Sequence, residues 1–257
     1  MSKRTAIVTG SASGIGKGVI TRLAKEGFNA VVTDINMEGA EAVAEELRAA
    51  GGEAMAIELD VTDEASVIAG FDKIVEKYGS IDVVHINAGI QIVHEFDKYP
   101  FEDWKKLMAV QADGAFLCAR EAFRKMKDSG KGGHIIFTGS THSYIGSPMK
   151  QPYSFAKHGY IGMSKAIAKE GAKYKIYTYT ICPTFVRTPF IDRQLVEISE
   201  ATGASPEEVI RDQWLGDTVD GEFTKIEEIA NAIVYLANDT GALTGQSLML
   251  SHGMHMM

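Results

Sequence analysis

The chain reads as an α/β protein, one domain over residues 1–257 built on a doubly wound parallel sheet with helices on both faces. Three observations predict this. Short apolar runs alternate with longer amphipathic stretches along most of the length, the pattern of strands linked by crossover helices. A glycine-rich turn joins the first run to the first amphipathic stretch. Nothing between the two ends reads as a linker, a repeat or a low-complexity segment.

The elements follow in order. Ala6–Thr9 is the first strand, and Thr9-Gly10-Ser11-Ala12-Ser13-Gly14-Ile15-Gly16 turns it into a helix over Gly16–Glu26. Ala30–Thr33 is the second strand, closed by Asp34 and followed by a helix over Met37–Ala50. Ala54–Leu59 leads through Asp60-Val61 to the helix Glu64–Tyr78. Val83–Ile86 runs into Asn87-Ala88-Gly89, then a long helix over Phe101–Lys127. His134–Thr138 precedes Ser140 and the helix Tyr153–Lys169, and Ile176–Ile181 is the sixth run. Residues 189–222 then break the rhythm with a polar and apolar insertion, which marks them as a candidate substrate lid. The helix Ile226–Ala237 and the strand Ser247–Leu250 complete the pattern.

Composition narrows the function. With 45% hydrophobic and 23% charged residues the chain suits a globular domain able to bury a core. A net charge of -8 without a basic cluster argues against nucleic acid and against an anionic membrane surface. No apolar run reaches the ~20 residues of a membrane span. The start, Met1-Ser2-Lys3-Arg4-Thr5, enters a strand rather than a signal peptide. Cys118 and Cys182, far apart in apolar contexts, suit reduced buried thiols and a cytoplasmic location.

The glycine-rich turn lets backbone approach a pyrophosphate at a helix N-terminus, the arrangement of a dinucleotide site. Asp34 can bond the adenosine ribose hydroxyls and would repel a 2′-phosphate; no Arg follows it and position 13 is Ser, so NAD is expected over NADP. Lys17 reads as a solvated charge. Tyr153 and Lys157, four apart, share one face of a helix. A phenol near its ordinary pKa of ~10 is a poor base at neutral pH. A nearby ammonium is expected to lower it and let it exchange a proton with an alcohol or carbonyl oxygen.

Together the glycine-rich turn, Asn87-Ala88-Gly89, Ser140 and Tyr153-x-x-x-Lys157 resemble the short-chain dehydrogenase/reductase family over nearly the whole chain. The resemblance implies a Rossmann-like sheet of seven strands and an NAD-dependent oxidoreductase. It implies that Tyr153 is the acid/base, that Ser140 polarises the substrate oxygen and that Lys157 binds the nicotinamide ribose and lowers the phenol. It places Gly10, Ser13, Gly14, Ile15 and Gly16 at the phosphates and Asp60 and Val61 beside the adenine. Asn87, Ala88 and Gly89 fall at the nicotinamide ribose, while Pro183, Val186 and Thr188 lie along the carboxamide and phosphates. Gln111 stands where the family usually has a catalytic Asn, and Thr184 where it usually has Gly beside the cofactor.

Further stretches, Asn87–Gln91, Gly139–His142, Ser147–Lys150, Ala156–Gly159 and Thr188–Gln194, resemble the D-3-hydroxybutyrate dehydrogenase branch of that family. This implies that Gln91, His142, Lys150 and Gln194, with Ser140 and Tyr153, bind a short acid, with (R)-3-hydroxybutyrate going to acetoacetate as the specific expectation. A polyol, a β-ketoacyl thioester or another small alcohol is the alternative substrate, and a weakened NAD(H)-sensing module the alternative class. The tail Ser251-His252-Gly253-Met254-His255-Met256-Met257 replaces the family's usual aromatic end. It could suggest a soft-metal site, but tail packing at a subunit contact is preferred and no metal is expected. His85 and His94 read as structural or surface histidines. The family usually forms homotetramers through the helices here over Phe101–Lys127 and Tyr153–Lys169.

Overall fold

The computed structural model describes residues 3–256, without the side chains of Pro189, Phe190 and Ala201; Met1, Ser2 and Met257 of the expected domain lie outside the described residues. Seven strands form one parallel sheet: β1 (Thr5–Thr9), β2 (Asn29–Asp34), β3 (Ala54–Glu58), β4 (Val83–Ile86), β5 (Gly133–Thr138), β6 (Ile176–Pro183) and β7 (Ser247–Leu250). Their order is β3-β2-β1-β4-β5-β6-β7, and the register places Val8 of β1 between Val32 and His85. The order reverses between β1 and β4, and such a reversal leaves a crevice beyond the carboxyl ends of the strands.

The central strands are apolar on both faces because both are covered. On one side pack α1 (Gly14–Lys25), α2 (Met37–Ala49) and α8 (Ile226–Leu236), burying Val19, Leu23, Val43 and Ile233 against Val8 and Val32. On the other lie α3 (Glu64–Tyr78), α5 (Ala115–Ser129) and α6 (Gln151–Gly171), burying Phe71, Cys118, Met126 and Tyr160 against Ile7, Val84 and Phe137. Both cysteines are free and buried. No helix among the described residues is long and apolar enough to cross a membrane.

One expectation needs correcting. The helix read as Phe101–Lys127 is three pieces: α4 (Phe101–Met108), a wide π turn over Ala109–Gly114, and α5. The turn seats Gly114 against β3's exit loop so closely that a Cβ there would meet Val61 Cγ2 at 2.8 Å. Residues 189–222 form a small unit of their own. Helix α7 (Pro189–Thr202) and a turn over Val209–Trp214 enclose a small core of Ile191, Leu195, Ile198, Val209 and Trp214. The Thr188 side chain caps α7 by accepting from Ile191 N.

Candidate active site

Beyond the carboxyl ends of the strands lie two adjoining cavities that share Tyr153. The larger, about 440 Å³, starts at Asp34, passes Gly10, Ser13, Gly14 and Ile15, and ends at Tyr153 and Lys157. Asp60 and Val61 line it on the β3 side, and Asn87, Ala88, Gly89, Gln111 and Thr188 line it elsewhere. Gly16, Pro183 and Val186 do not. Gly16 is packed under the turn, where a Cβ would meet Gly10 O at 2.3 Å. Pro183 ends β6 in register with Leu250 and Val186 is core.

Local bonds explain this shape. Gly10 and Gly14 have φ of 64° and 56°, a region closed to most side chains. Asn87 Nδ2 donates to Thr9 O at 3.0 Å and to Gly10 O at 3.1 Å, tying the β4 loop to the turn. Asp34 accepts from Ala12 N and Asn36 N, both at 3.0 Å, which holds its carboxylate at the tip of β2. Lys17 pairs with Glu46, as a solvated charge would. Glycine backbone, a carboxylate at one end and a buried ammonium at the other suit a nicotinamide dinucleotide.

The smaller cavity, about 50 Å³, brings together Gln91, Ser140, His142, Lys150, Tyr153 and Gln194. Lys150 is buried, and its Nζ donates to Gln194 Oε1 at 3.3 Å. Both amide atoms of Gln91 are buried without a partner among the described residues. Ser140 Oγ lies 3.3 Å from His142 Nδ1, whose ring sits edge-on to Tyr153 with centroids 5.6 Å apart. His142 Nε2 lies 2.7 Å from Ser147 Oγ. Burial, and then the nearby Lys150, pull His142 down to about 3, so it is neutral. Burial alone pulls Lys150 down to about 8.

The expected lowering of Tyr153 by Lys157 is not seen. Burial pushes the Tyr153 phenol up to about 12, against a smaller downward pull from Ser140. Lys157 is itself pulled down by burial, to about 7. Its Nζ donates to Thr138 O at 2.7 Å and lies 5.3 Å from the Tyr153 ring centre. With both groups desolvated, the neutral forms are favoured until an added charge enters the site.

The Gln111 amide donates to Ile90 O, and its Oε1 is buried without a partner. Thr184 does not face the cofactor cavity; it lines the smaller one and its hydroxyl donates to Met254 Sδ. His85 is buried with Nε2 2.6 Å from Thr138 Oγ1, and His94 pairs with Asp103 at the surface. His252 sits between Asp220 and Glu228, while His255 stacks on Tyr144. No cluster of metal-ligating side chains occurs among the described residues. Arg193 in the large cavity and Phe185 in the small one escaped sequence reasoning: Arg193 belongs to the lid region and Phe185, in the loop after β6, packs against that region's core, so the placement of both depends on that core.

Comparison with known proteins agrees with this geometry. A profile of the short chain dehydrogenases matches residues 4–197. The D-beta-hydroxybutyrate dehydrogenase of Rhizobium meliloti is 31% identical over 253 residues, 97% of this chain and 98% of that protein. The crystal structure of sorbitol-6-phosphate 2-dehydrogenase from Erwinia amylovora superposes with a TM-score of 0.94 at 27% identity, over 98% of this chain and all of that one. Actinorhodin polyketide ketoreductase with NADPH gives a TM-score of 0.93 at 30% identity, over 99% of each chain.

Proposed function

We propose that this chain, which belongs to the short chain dehydrogenase family, oxidises a short hydroxy acid with NAD, (R)-3-hydroxybutyrate to acetoacetate being the favoured pair. Members of this family are oxidoreductases that use a nicotinamide cofactor on small molecules. The observation carrying the finer reading is the small cavity, where a buried ammonium, Lys150, stands among Gln91, His142 and Gln194 across from Ser140 and Tyr153. A buried cation ringed by neutral hydrogen-bonding groups is suited to one carboxylate. The unpartnered amide of Gln91 supports a polar ligand there.

In this reading a nicotinamide held in the large cavity would supply the hydride acceptor. Tyr153 takes the alcohol proton, and Ser140 bonds the reacting oxygen as its charge changes. Lys157 would hold the ribose and stabilise the phenolate. Gln111 fixes the Ile90 carbonyl through its amide. Asp34 favours NAD by occupying the place of a 2′-phosphate. Residues 189–222 act as the lid of a single domain. A homotetramer is supported by Phe116 on α5 and Phe155 on α6, 50% and 61% exposed. The two free buried thiols suit a cytoplasmic setting.

The test is reduced-nicotinamide formation, with NAD and with NADP, across hydroxy acids and polyols. Turnover of 3-hydroxybutyrate with NAD is expected. Turnover of a sugar alcohol with 3-hydroxybutyrate inert would overturn the substrate, and preference for NADP would overturn the role of Asp34. Tight NADH binding with no turnover of any substrate would favour a sensor.

A further inference from the structure

The large cavity is short of cations beside the glycine-rich turn. Of the ionisable side chains lining it, Asp34 and Asp60 are anionic, and only Lys157 and Arg193 are basic. Lys157 lies at the Tyr153 end, buried and committed to the Thr138 carbonyl. The glycine-rich turn brings no cation of its own, because Ser13 stands in it and Lys17 is held by Glu46. A dinucleotide brings two phosphate charges to this turn, where backbone amides supply only partial positive charge.

Arg193 is placed to supply the rest. It lies one turn into α7, whose N-cap Thr188 abuts the glycine-rich turn: a Cβ on Gly14 would be 3.7 Å from Thr188 Cγ2. Its neighbour Asp192 is engaged by Arg187 at 2.8 Å. No ion pair of Arg193 occurs among the described residues. The next residue, Gln194, projects into the other cavity and accepts from Lys150. Successive helical residues point about 100° apart, so one turn of α7 presents a cation to the cofactor cleft and an amide to the substrate pocket. The apolar side of the same helix (Ile191, Leu195, Ile198) packs in the lid core, so Arg193 and Gln194 share one support.

We propose that Arg193 is the lid's clamp on the cofactor pyrophosphate, and that this contact sets the position of Gln194 in the substrate pocket. Arg193 is thereby a cofactor-binding residue and, through Gln194, a positioning residue for the acid. The inference rests on reading the large cavity as a nicotinamide-dinucleotide site.

Arg193→Gln and Arg193→Lys separate the possibilities. NADH binding is followed by fluorescence, and ADP and adenosine by competition against it, for wild type and both variants. Arg193→Gln is expected to weaken NADH and ADP about 10-fold, leave adenosine unchanged, and flatten the dependence of NADH affinity on salt. Arg193→Lys should recover part of the loss, since it keeps the charge without the planar fork. At saturating NAD, Arg193→Gln should raise KM for the hydroxy acid several-fold with kcat little changed. Equal effects on ADP and adenosine, or none on ADP, would overturn the clamp. Weakened ADP binding with an unmoved KM would overturn the coupling to Gln194. Wild-type protein that fails to bind NADH sinks the proposed function itself, whereas tight wild-type binding indifferent to Arg193 sinks only this inference. Ligand-free melting of each variant checks folding; should Arg193→Gln unfold, Arg193→Lys and the wild-type ADP-to-adenosine ratio carry the decision, and a ratio near one would overturn the clamp.

Discussion

Lys150 and Gln194 meet at 3.3 Å across the small cavity, joining the loop before α6 to the second turn of the lid helix. The residue before Lys150, Met149, has φ of 64°, so the ammonium is delivered by backbone that most side chains avoid. A buried ammonium with one amide partner is under-solvated and ready for an anion. Lys150→Met should therefore raise KM for 3-hydroxybutyrate by roughly 10- to 100-fold, the range of a hydrogen bond to a charged group. Its kcat should change much less and NADH affinity should hold. A similar drop in NADH affinity would show that the cavity had collapsed.

The same ammonium predicts a pH dependence. Burial lowers Lys150 from 10.5 to about 8, so the free enzyme loses the charge as pH rises past about 8. With a carboxylic acid as substrate, kcat/KM should fall toward tenfold per pH unit above that point. Lys150→Arg keeps its charge throughout and should remove this limb even if activity is lower. For stability the sign is opposite to that of a stabilising ion pair. The unfolded chain holds the proton up to 10.5 and the folded chain only to about 8, so the burial cost is fully present below 8 and relieved above 10.5. An alkaline limb that survives in Lys150→Arg would assign it elsewhere.

Gly16 offers a stability test. In an exposed helix, Gly→Ala gains about 1 kcal/mol. Here the added Cβ would stand 2.3 Å from Gly10 O and 2.7 Å from Asn87 Nδ2. The first contact is with backbone and cannot be relieved by a rotamer change. Overpacking costs of about 1–3 kcal/mol outweigh the helix gain, so Gly16→Ala should melt lower and bind NADH more weakly, because the turn itself must shift. An unchanged melting temperature with full NADH affinity would contradict the packing described.

What the sequence made legible divides along local and non-local lines. The alternating runs gave the strands within a residue or two, because strands buried on both faces must be apolar throughout. Tyr153 and Lys157 were legible since their four-residue spacing survives in any helix. The wide turn at Ala109–Gly114 was not, because it arises where Gly114 meets Val61, a contact between distant segments. Thr184 was misplaced for the same reason: its direction is set by Met254, seventy residues later in the chain. Arg193 was invisible because an i, i+4, i+7 apolar pattern at Ile191, Leu195 and Ile198 identifies a helix but not which cavity its remaining face meets.

Tyr153→Phe separates chemistry from binding. The phenol is pushed up to about 12 by burial in the ligand-free protein, so removing its hydroxyl deletes a neutral group and leaves the cavity wall in place. Turnover should fall by at least about 10³-fold, within the range for a general acid/base, while NADH affinity stays within a few-fold of wild type. Residual activity near the wild-type level would mean that another group moves the proton.

The tail carries a charge-dependent strap. His252 Nδ1 lies 2.7 Å from Asp220 Oδ2, and Nε2 lies 3.2 Å from Glu228 Oε2. Asp220 belongs to the lid segment and Glu228 to α8, so one imidazole joins three parts of the chain. Both ring nitrogens can donate only when the ring is protonated. Donating to Asp220, and also to Glu228, accordingly raises His252 above 6.5 against a smaller opposing effect of burial. A group raised on folding stabilises fully below its unfolded pKa and loses that contribution as pH climbs through the folded value. His252 also has φ of 49°, a conformation that Asn tolerates, so His252→Asn removes the charge with little backbone penalty. The melting temperature of His252→Asn should lie below wild type at pH 6, and the gap should narrow steadily by pH 9. High salt should shrink the gap at pH 6, since the three groups are partly solvated. A gap that is constant with pH, or that widens toward alkaline pH, would show that the ring acts by packing rather than by charge.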